Sequence, residues 1–331
     1  MSAETAGARW GGLLALVAFT LLMAVLGLGA GSTGWQAPWA PDADGTLARI
    51  LWEIRAPRTV GAWLVGALLG LAGAIAQGLF RNPLAEPYLL GSAAGAALCM
   101  AVVLTLGVPW LSAQDWWSRV GLTGAAFVGS VGGVMLTLLM SRGAAHTMRL
   151  LLAGVVVGVV LGAMTQLLMV WSAEAWRVMQ AFMLGSTALL GWQACALMTA
   201  VLALAWPVAQ GLAKVLDALS LGEDTARTLG IPLGLTRAVL VCVLALATAA
   251  AVAQAGLIAF VGLVAPHLVR PWAGARHAHL LLAATAMGGG LMMAADVLAR
   301  WLIAPQELPV GVLTAVLGGV YLLVLLHRRR A

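Results

Sequence analysis

The sequence predicts an all-α, polytopic membrane protein, one domain over residues 1–331 with about ten transmembrane helices. Three observations predict it. Of the 331 residues, 62% are hydrophobic and only 9% are charged, whereas a soluble domain carries roughly 25% charged residues. The mean hydropathy is +1.00. Apolar runs recur along the whole chain near the ~20-residue length that a helix needs to cross a ~30 Å hydrocarbon core. Together these exclude a soluble enzyme, a disordered chain and a nucleic-acid-binding domain.

The runs place spans near 11–31, 57–79, 88–107, 120–141, 149–170, 188–209, 237–256, 259–270, 279–300 and 309–326. The first is too long for a cleavable signal and leads into more membrane. The eighth is too short to cross unless protein surrounds it, because lipid leaves exposed backbone groups unsatisfied. Residues 172–186 read as another short helix outside the membrane proper. With the N-terminus inside, 12 of the 18 basic residues fall on the inner side, Arg328–Arg330 the clearest anchor. The outer six are Arg49, Arg55, Arg58, Arg119, Arg177 and Arg300. That bias places both termini in the cytoplasm and accounts for the net charge of +6.

Small residues one helical turn apart let helices approach closely. Gly66/Gly70, Gly91/Gly95, Gly129/Gly133 and Gly154/Gly158/Gly162 have that spacing. The strings AIAQGLF (74–80) and AVAQAGLIAF (251–260) echo one another, a pattern that inverted repeats of transporters would give.

Catalytic groups are sparse. A phosphate-binding loop needs GxxxxGK[ST]. The single lysine, Lys214, follows Ala213, so no Gly-Lys pair exists. If ATP drives this chain, another protein binds it. Cys99, Cys195 and Cys242 lie in apolar runs and form no metal-ligand pattern. His277 and His279 read as a solvated basic turn, and His267 as a packing or helix-end residue. Asp296 is the one acid inside a span. Arg300, four residues on, shares its helical face, which favours a structural ion pair over a proton relay.

Arg55 and Arg58 flank Pro57 at the N-terminal end of the second span. The helix dipole disfavours cations there, so something acidic should compensate: Glu53, lipid headgroups, or an acidic docking protein. Arg81-Asn82-Pro83-Leu84-Ala85-Glu86-Pro87 reads as a rigid, non-helical inner connection. Residues 213–235 form the longest inner loop, with a short helix between Gly222 and Pro232. It reads as a docking element or as a plain amphipathic connector.

IRAPRTVGAWLVGALLGLAGAIAQGLFRNPLAEPYLLGSAAGAAL, RLLLAGVVVG, LGEDTARTLGI, GLIAFVGLVAPHLVR, ADVLAR and ELPVGVLTAVLGG run in order from about residue 50 to 326. They resemble the FecCD-type permeases, membrane subunits of type II ABC importers for iron chelates, haem and cobalamin. The resemblance implies a non-enzymatic translocation subunit of the bacterial inner membrane. It would act as a homodimer by alternating access, with two copies of an ABC ATPase and a periplasmic binding protein. This chain would bind no cofactor; ATP and Mg would sit on the partner.

The resemblance also assigns roles. Arg55, Arg58 and Arg300 would receive acidic side chains of the binding protein. Asn82, Pro83 and Leu84 would form one cytoplasmic gate and His146, Thr147 and Met148 the other. His146 and Met148 are bulkier than the small hydroxyl-rich form of the cobalamin permease. Leu221, Gly222, Glu223, Asp224, Ala226 and Gly230 would couple to the ATPase. The fifth span and the 172–186 helix would line the pathway with Met164, Gln166, Met169, Arg177, Met179 and Met183. Soft apolar walls with one arginine near the outer mouth suit a porphyrin with two propionates. Haem is therefore the first expectation, then cobalamin or a ferric siderophore. An ion-coupled secondary transporter is the rival class, and a membrane enzyme lacks a catalytic cluster.

Overall fold

A computed structural model describes residues 3–31, 34–40, 45–106, 116–143, 147–170 and 173–328. The side chains of residues 3–9, 116–120, 173–174, 326 and 328 lie outside that description. The fold is helical: α1 (Ala3–Gly29), α2 (Thr46–Ile50), α3 (Ala56–Phe80), α4 (Ser92–Thr105), α5 (Trp116–Met140), α6 (Thr147–Met169), α7 (Ala173–Leu184), α8 (Trp192–Gly211), α9 (Ala213–Ser220), α10 (Glu223–Thr228), α11 (Leu233–Ala255), α12 (Val261–Ala273), α13 (His277–Trp301) and α14 (Val310–Arg328). Among the described residues the only strands are Ala30–Gly31 and Gly34–Trp35, an antiparallel pair after α1.

Seven helical stretches are long and apolar enough to cross a membrane, and α4 and the α14 core are shorter apolar helices. The 13-residue α12 corresponds to the short eighth run, and α7 to the expected short helix at 172–186. The second span starts earlier than the sequence suggested. Residues Thr46–Phe80 form one 35-residue stretch, joined by a π-helical segment over Leu51–Arg55. Pro57 explains the wider turn, since its ring would crowd the carbonyl four residues back and it offers no N–H.

α3 is apolar on every face and is buried nearly throughout, as a central helix must be. It packs on α13 through glycine: a Cβ at Gly66 would overlap the Gly288 carbonyl, and one at Gly70 the Ala284 carbonyl. α4 and α5 cross the same way at Gly95 and Gly129. Gly158 and Gly162 differ, because a Cβ there would meet nothing within 4 Å. Their face of α6 lies open, with Val155, Val159 and Leu152 exposed.

Two irregular segments meet between the helices. Glu86 accepts the Phe260 N–H at 2.9 Å, just before α12, and Tyr88 Oη donates to the Ile258 carbonyl at 3.0 Å. Non-helical backbone at membrane depth is tolerated only where protein satisfies it, and these bonds do so. The two echoed glutamines have different surroundings. Gln77 is buried, donates to the Leu263 carbonyl and accepts from Arg270. Gln254 lines a groove with Thr123 and Gln193.

Candidate functional site

Two charged clusters sit at opposite ends of this apolar frame. At the end expected to face outward, Asp296 of α13 is fully buried between Arg58 of α3 and Arg300. Arg58 Nε donates to its Oδ1 at 3.0 Å, and Arg300 Nη2 lies 2.6 Å from its Oδ2. Thr187 Oγ1 donates to Oδ1 at 2.5 Å. Arg58 also grips Glu307 through both nitrogens, at 3.0 and 2.9 Å. The Asp296–Arg300 ion pair favoured from the sequence is therefore present, within a larger network.

The same network answers why arginines stand at a helix N-terminus. Arg300 Nη1 donates to the Gly27 and Ala30 carbonyls at 2.9 and 2.8 Å. Arg55 Nη1 reaches the Leu28 and Gly29 carbonyls at 3.2 and 3.4 Å, and its Nη2 reaches Gln36 Oε1 at 3.1 Å. Both guanidiniums thus cap the C-terminal end of α1, where unsatisfied carbonyls and the dipole favour cations. Arg55, Arg58 and Arg300, expected to receive acidic side chains of a binding protein, are 7%, 9% and 2% exposed in the single chain. Their compensation comes from within the chain. Glu53 does not supply it, since it pairs with Arg49 at 3.1 Å.

At the opposite end, expected to face inward, the centre is Glu223, the first residue of α10. Arg237 Nη2, from a side chain buried in α11, lies 2.8 Å from Glu223 Oε1. Thr147 Oγ1, at the start of α6, donates to the same oxygen at 3.1 Å. Arg81, after α3, and Arg227 approach at 3.9 and 3.8 Å. Burial pushes the carboxyl up, but the Arg237 hydrogen bond and charge, with Thr147 and Arg81, hold it below the usual carboxylate range. One carboxylate therefore links α10 to both segments expected to gate the inner side.

Local structure fixes α10 in place. Gly222 adopts φ 121° and ψ 153°, a conformation open to glycine and little else, which breaks the chain between α9 and α10. Gly230, at φ 75°, ends α10 with its N–H on the Arg227 carbonyl at 2.9 Å. Ala226 is buried, whereas Leu221 and Leu229 are 71% and 64% exposed and Asp224 points outward. So α10 turns Glu223 and Ala226 inward and offers Leu221, Asp224 and Leu229 to the outside. α9 is anchored separately: Asp217 Oδ1 accepts the His277 backbone N–H at 2.8 Å and lies 2.7 Å from its Nδ1. His277 is therefore buried and partnered, which corrects its reading as half of a solvated basic turn.

Of the gate residues, Asn82 Oδ1 accepts the Leu84 N–H at 2.9 Å, an Asx-turn that sets the bend ahead of half-buried Pro83. Leu84 and Met148 are exposed at 39% and 68%. His146 lies outside the described residues. The pathway set divides. Met164 and Met183 are exposed, as are Gln166 and Arg177. Met183 lines a cavity of about 300 Å³ with Tyr88, Leu257 and Val312. Met169 and Met179 are buried within the chain. At 5% and 3% exposure they pack with Met100, Ala126 and Val252 in a small core, because α6 and α7 each bury one side against α4.

Sequence reasoning missed Thr187, Glu307, Gln36 and Arg237 as partners. Glu307 stands in the ELPVG string and Arg237 follows the inner loop, but neither spacing reveals a contact partner across the fold.

Comparison with known proteins follows the same lines. The profile of the FecCD transport family matches residues 14–328. The hemin transport system permease protein HmuU of Yersinia pestis is 37% identical over 325 residues, 96% of this chain and 95% of that relative. The vitamin B12 import system permease protein BtuC of Salmonella typhi is 40% identical over 330 residues, 97% of this chain and 96% of that relative. A solved metal-chelate type ABC transporter in an inward-facing conformation superposes with a TM-score of 0.85 at 29% identity, covering 96% of this chain and 98% of that one.

Proposed function

The chain belongs to the FecCD transport family, and from that premise we infer that it is the permease subunit of a type II ABC importer that moves a metal chelate, haem first, into the cytoplasm. It performs no hydrolysis itself. Two copies would form the pathway between them, two ATPase subunits would bind ATP and Mg, and a periplasmic binding protein would deliver the cargo across the inner membrane.

The observation that carries the reading is the Glu223 hub. A protein that converts a partner's motion into gating needs a stiff link between the docking element and the gate. Here α10 offers Leu221, Asp224 and Leu229 outward while its Glu223 holds Thr147 and approaches Arg81. Displacing α10 therefore pulls on the starts of both gate segments. The displacement must come from nucleotide binding one state of the ATPase pair better than the other, since contact alone shifts no equilibrium.

Haem stands first because exposed Met164 and Met183 give soft apolar surface and exposed Arg177 on α7 gives a cation for a propionate. Cobalamin is the second reading, favoured by the 40% identity to the vitamin B12 permease. Reconstitution with the ATPase and binding protein, followed by uptake of haem, cobalamin and a ferric siderophore, separates them. Arg177→Ala is expected to slow haem uptake with complex assembly and ATPase activity intact; unchanged uptake removes Arg177 from the pathway. Uptake by this chain alone on an ion gradient would establish the secondary-transporter alternative.

A further inference from the structure

We propose that Glu86 and Tyr88 are positioning residues for gating: they pin the turn Pro87–Leu90 to the break between α11 and α12, and so give the gate segment Asn82–Leu84 a fixed point to swing on. The inference rests on the permease reading above.

A carboxylate at membrane depth is costly and marks function. The neighbours of Glu86 set its depth. The chain leaves α3 at Arg81, in a left-handed conformation at φ 48°, and turns back along that helix. It reaches α12 at the 3-10 turn Pro87–Leu90. A Cβ on Gly262 of α12 would meet Pro87 Cγ at 2.6 Å and the Leu69 carbonyl at 2.8 Å. Leu69 stands halfway along α3, so the turn lies near the middle of the bundle.

Opposite it, α11 ends at Gly256 and α12 starts from Phe260, which is left-handed at φ 69°. An aromatic residue keeps that conformation only where its surroundings enforce it. Glu86 Oε1 does so by accepting the Phe260 N–H at 2.9 Å. Phe260 is the N-cap of α12, where free N–H groups and the dipole favour an anion. A capping box draws this bond from the third helical residue; here a distant segment supplies it. Tyr88 Oη adds a bond to the Ile258 carbonyl at 3.0 Å and accepts the Ile258 N–H at 3.4 Å.

The break is itself tied to the frame. Leu257 N–H donates to the Phe182 carbonyl at 3.1 Å and Ser186 N–H to the Ala255 carbonyl at 2.8 Å. The next residue, Thr187, bonds buried Asp296. Glu86 and Tyr88 therefore join the turn to the Asp296 network. The other end of the gate is tied loosely, since Arg81 reaches Glu223 only at 3.9 Å. One end is thus fixed and the other follows α10. The far side of the turn is held independently: Thr137 of α5 donates to the Leu90 carbonyl at 2.9 Å, and Gly154 of α6 lies against the Leu89 carbonyl with no room for a Cβ. Loosening Glu86 and Tyr88 frees the gate and leaves α6 in place.

The test uses the full chain reconstituted with its ATPase and binding protein, with Cys99, Cys195 and Cys242 changed to alanine. Leu84→Cys and Met148→Cys, made separately, report the two gate segments through their rates of maleimide labelling, without nucleotide and with ATP and vanadate. Coupling between sites is typically about 5- to 150-fold, so each rate should change at least about fivefold between the two conditions. Glu86→Leu/Tyr88→Phe should lower the change at Leu84→Cys to less than about twofold and leave that at Met148→Cys, which reaches Glu223 through Thr147. Glu86→Gln keeps a carbonyl acceptor for Phe260 and should keep both responses. Tyr88→Phe keeps the ring and should by itself weaken the Leu84→Cys response about twofold or more, the scale of one hydrogen bond; it decides the matter if the double variant does not assemble. A full response at Leu84→Cys in these two variants overturns the proposal, and so does equal loss at both positions, which would mean general damage. No nucleotide response at Met148→Cys in the parent protein would overturn the permease reading and this inference with it.

Discussion

Replacing Glu223 by arginine tests the inner hub most directly. The wild-type carboxylate faces Arg237 at 2.8 Å, Arg227 at 3.8 Å and Arg81 at 3.9 Å. Glu223→Arg puts a fourth cation among three and leaves the buried Arg237 without this carboxylate. Removing one partner of a buried pair costs about 3–5 kcal/mol. The Glu223 side chain is 22% exposed, so water screens part of this and about 2–3 kcal/mol is the working value, close to that of hydrogen bonds to charged groups. The free energy appears first as release of α10 from Thr147 and Arg81, because α9 keeps its own anchor at His277. The assay is reconstitution with the ATPase subunit, measuring ATP hydrolysis and uptake in the same vesicles. Hydrolysis should persist while uptake per ATP falls at least tenfold. Glu223→Gln should be milder, since its amide carbonyl can still accept from Arg237 and Thr147. Its pH signature differs as well. A carboxyl held below its ordinary range contributes stability that is present above the unfolded value and is lost as pH falls through the folded value. The acid limb of a stability–pH profile should therefore flatten in Glu223→Gln. Full coupling in Glu223→Arg, with an unchanged acid limb in Glu223→Gln, would refute the hub.

Two further outcomes test the frame. Asp296→Ala removes the carboxylate partner of buried Arg300 and one of the two of Arg58, and should cost about 3–5 kcal/mol and most of the folded yield on size exclusion; Asp296→Leu/Arg300→Leu should recover much of it, since an apolar pair of similar volume is often neutral. Gly66→Ala should separate α3 from α13 and abolish a stable fold, whereas Gly158→Ala meets open space and should be neutral or up to about 1 kcal/mol stabilising within one subunit, as read by thermal unfolding.

Much of the architecture was legible because membrane spans announce themselves by length and apolarity. The short helices α7, α12 and α10 fall where the sequence placed them, whereas α9 lies in a stretch read as loop. The misreadings share one cause. Sequence gives a residue's neighbours along the chain and not across it. Arg55 looked unpaired because it bonds carbonyls at the end of α1, and backbone acceptors have no sequence signature. His277 looked solvated because its partner Asp217 is 60 residues away. The burial of Met169 and Met179 was not legible, because a methionine on a helix carries no mark of which face is covered. The start of the second span was misplaced because Pro57 resembles a first-turn proline, while the π-helical segment lets the helix continue through it.

The two charged clusters differ in a way that assigns them different mechanical roles. In the outer cluster Asp296 is fully buried, its oxygens are taken by two guanidiniums and a hydroxyl, and the arginines bind the end of α1. Opening it exposes several buried charged groups at once, so it behaves as a fixed joint among α1, α3 and α13. In the inner cluster Arg237 is buried, but Glu223 is partly wet and two of its four partners sit near 4 Å. Water can replace those longer contacts at little cost. Glu223 can therefore give up Arg81 and Arg227 while keeping Arg237, and α10 can shift by a side chain's length without stranding a buried charge. A permease needs this asymmetry: one end must hold the helices together while the other yields to a motor. Disrupting the outer joint should accordingly lose the protein, and disrupting the inner one should lose the coupling.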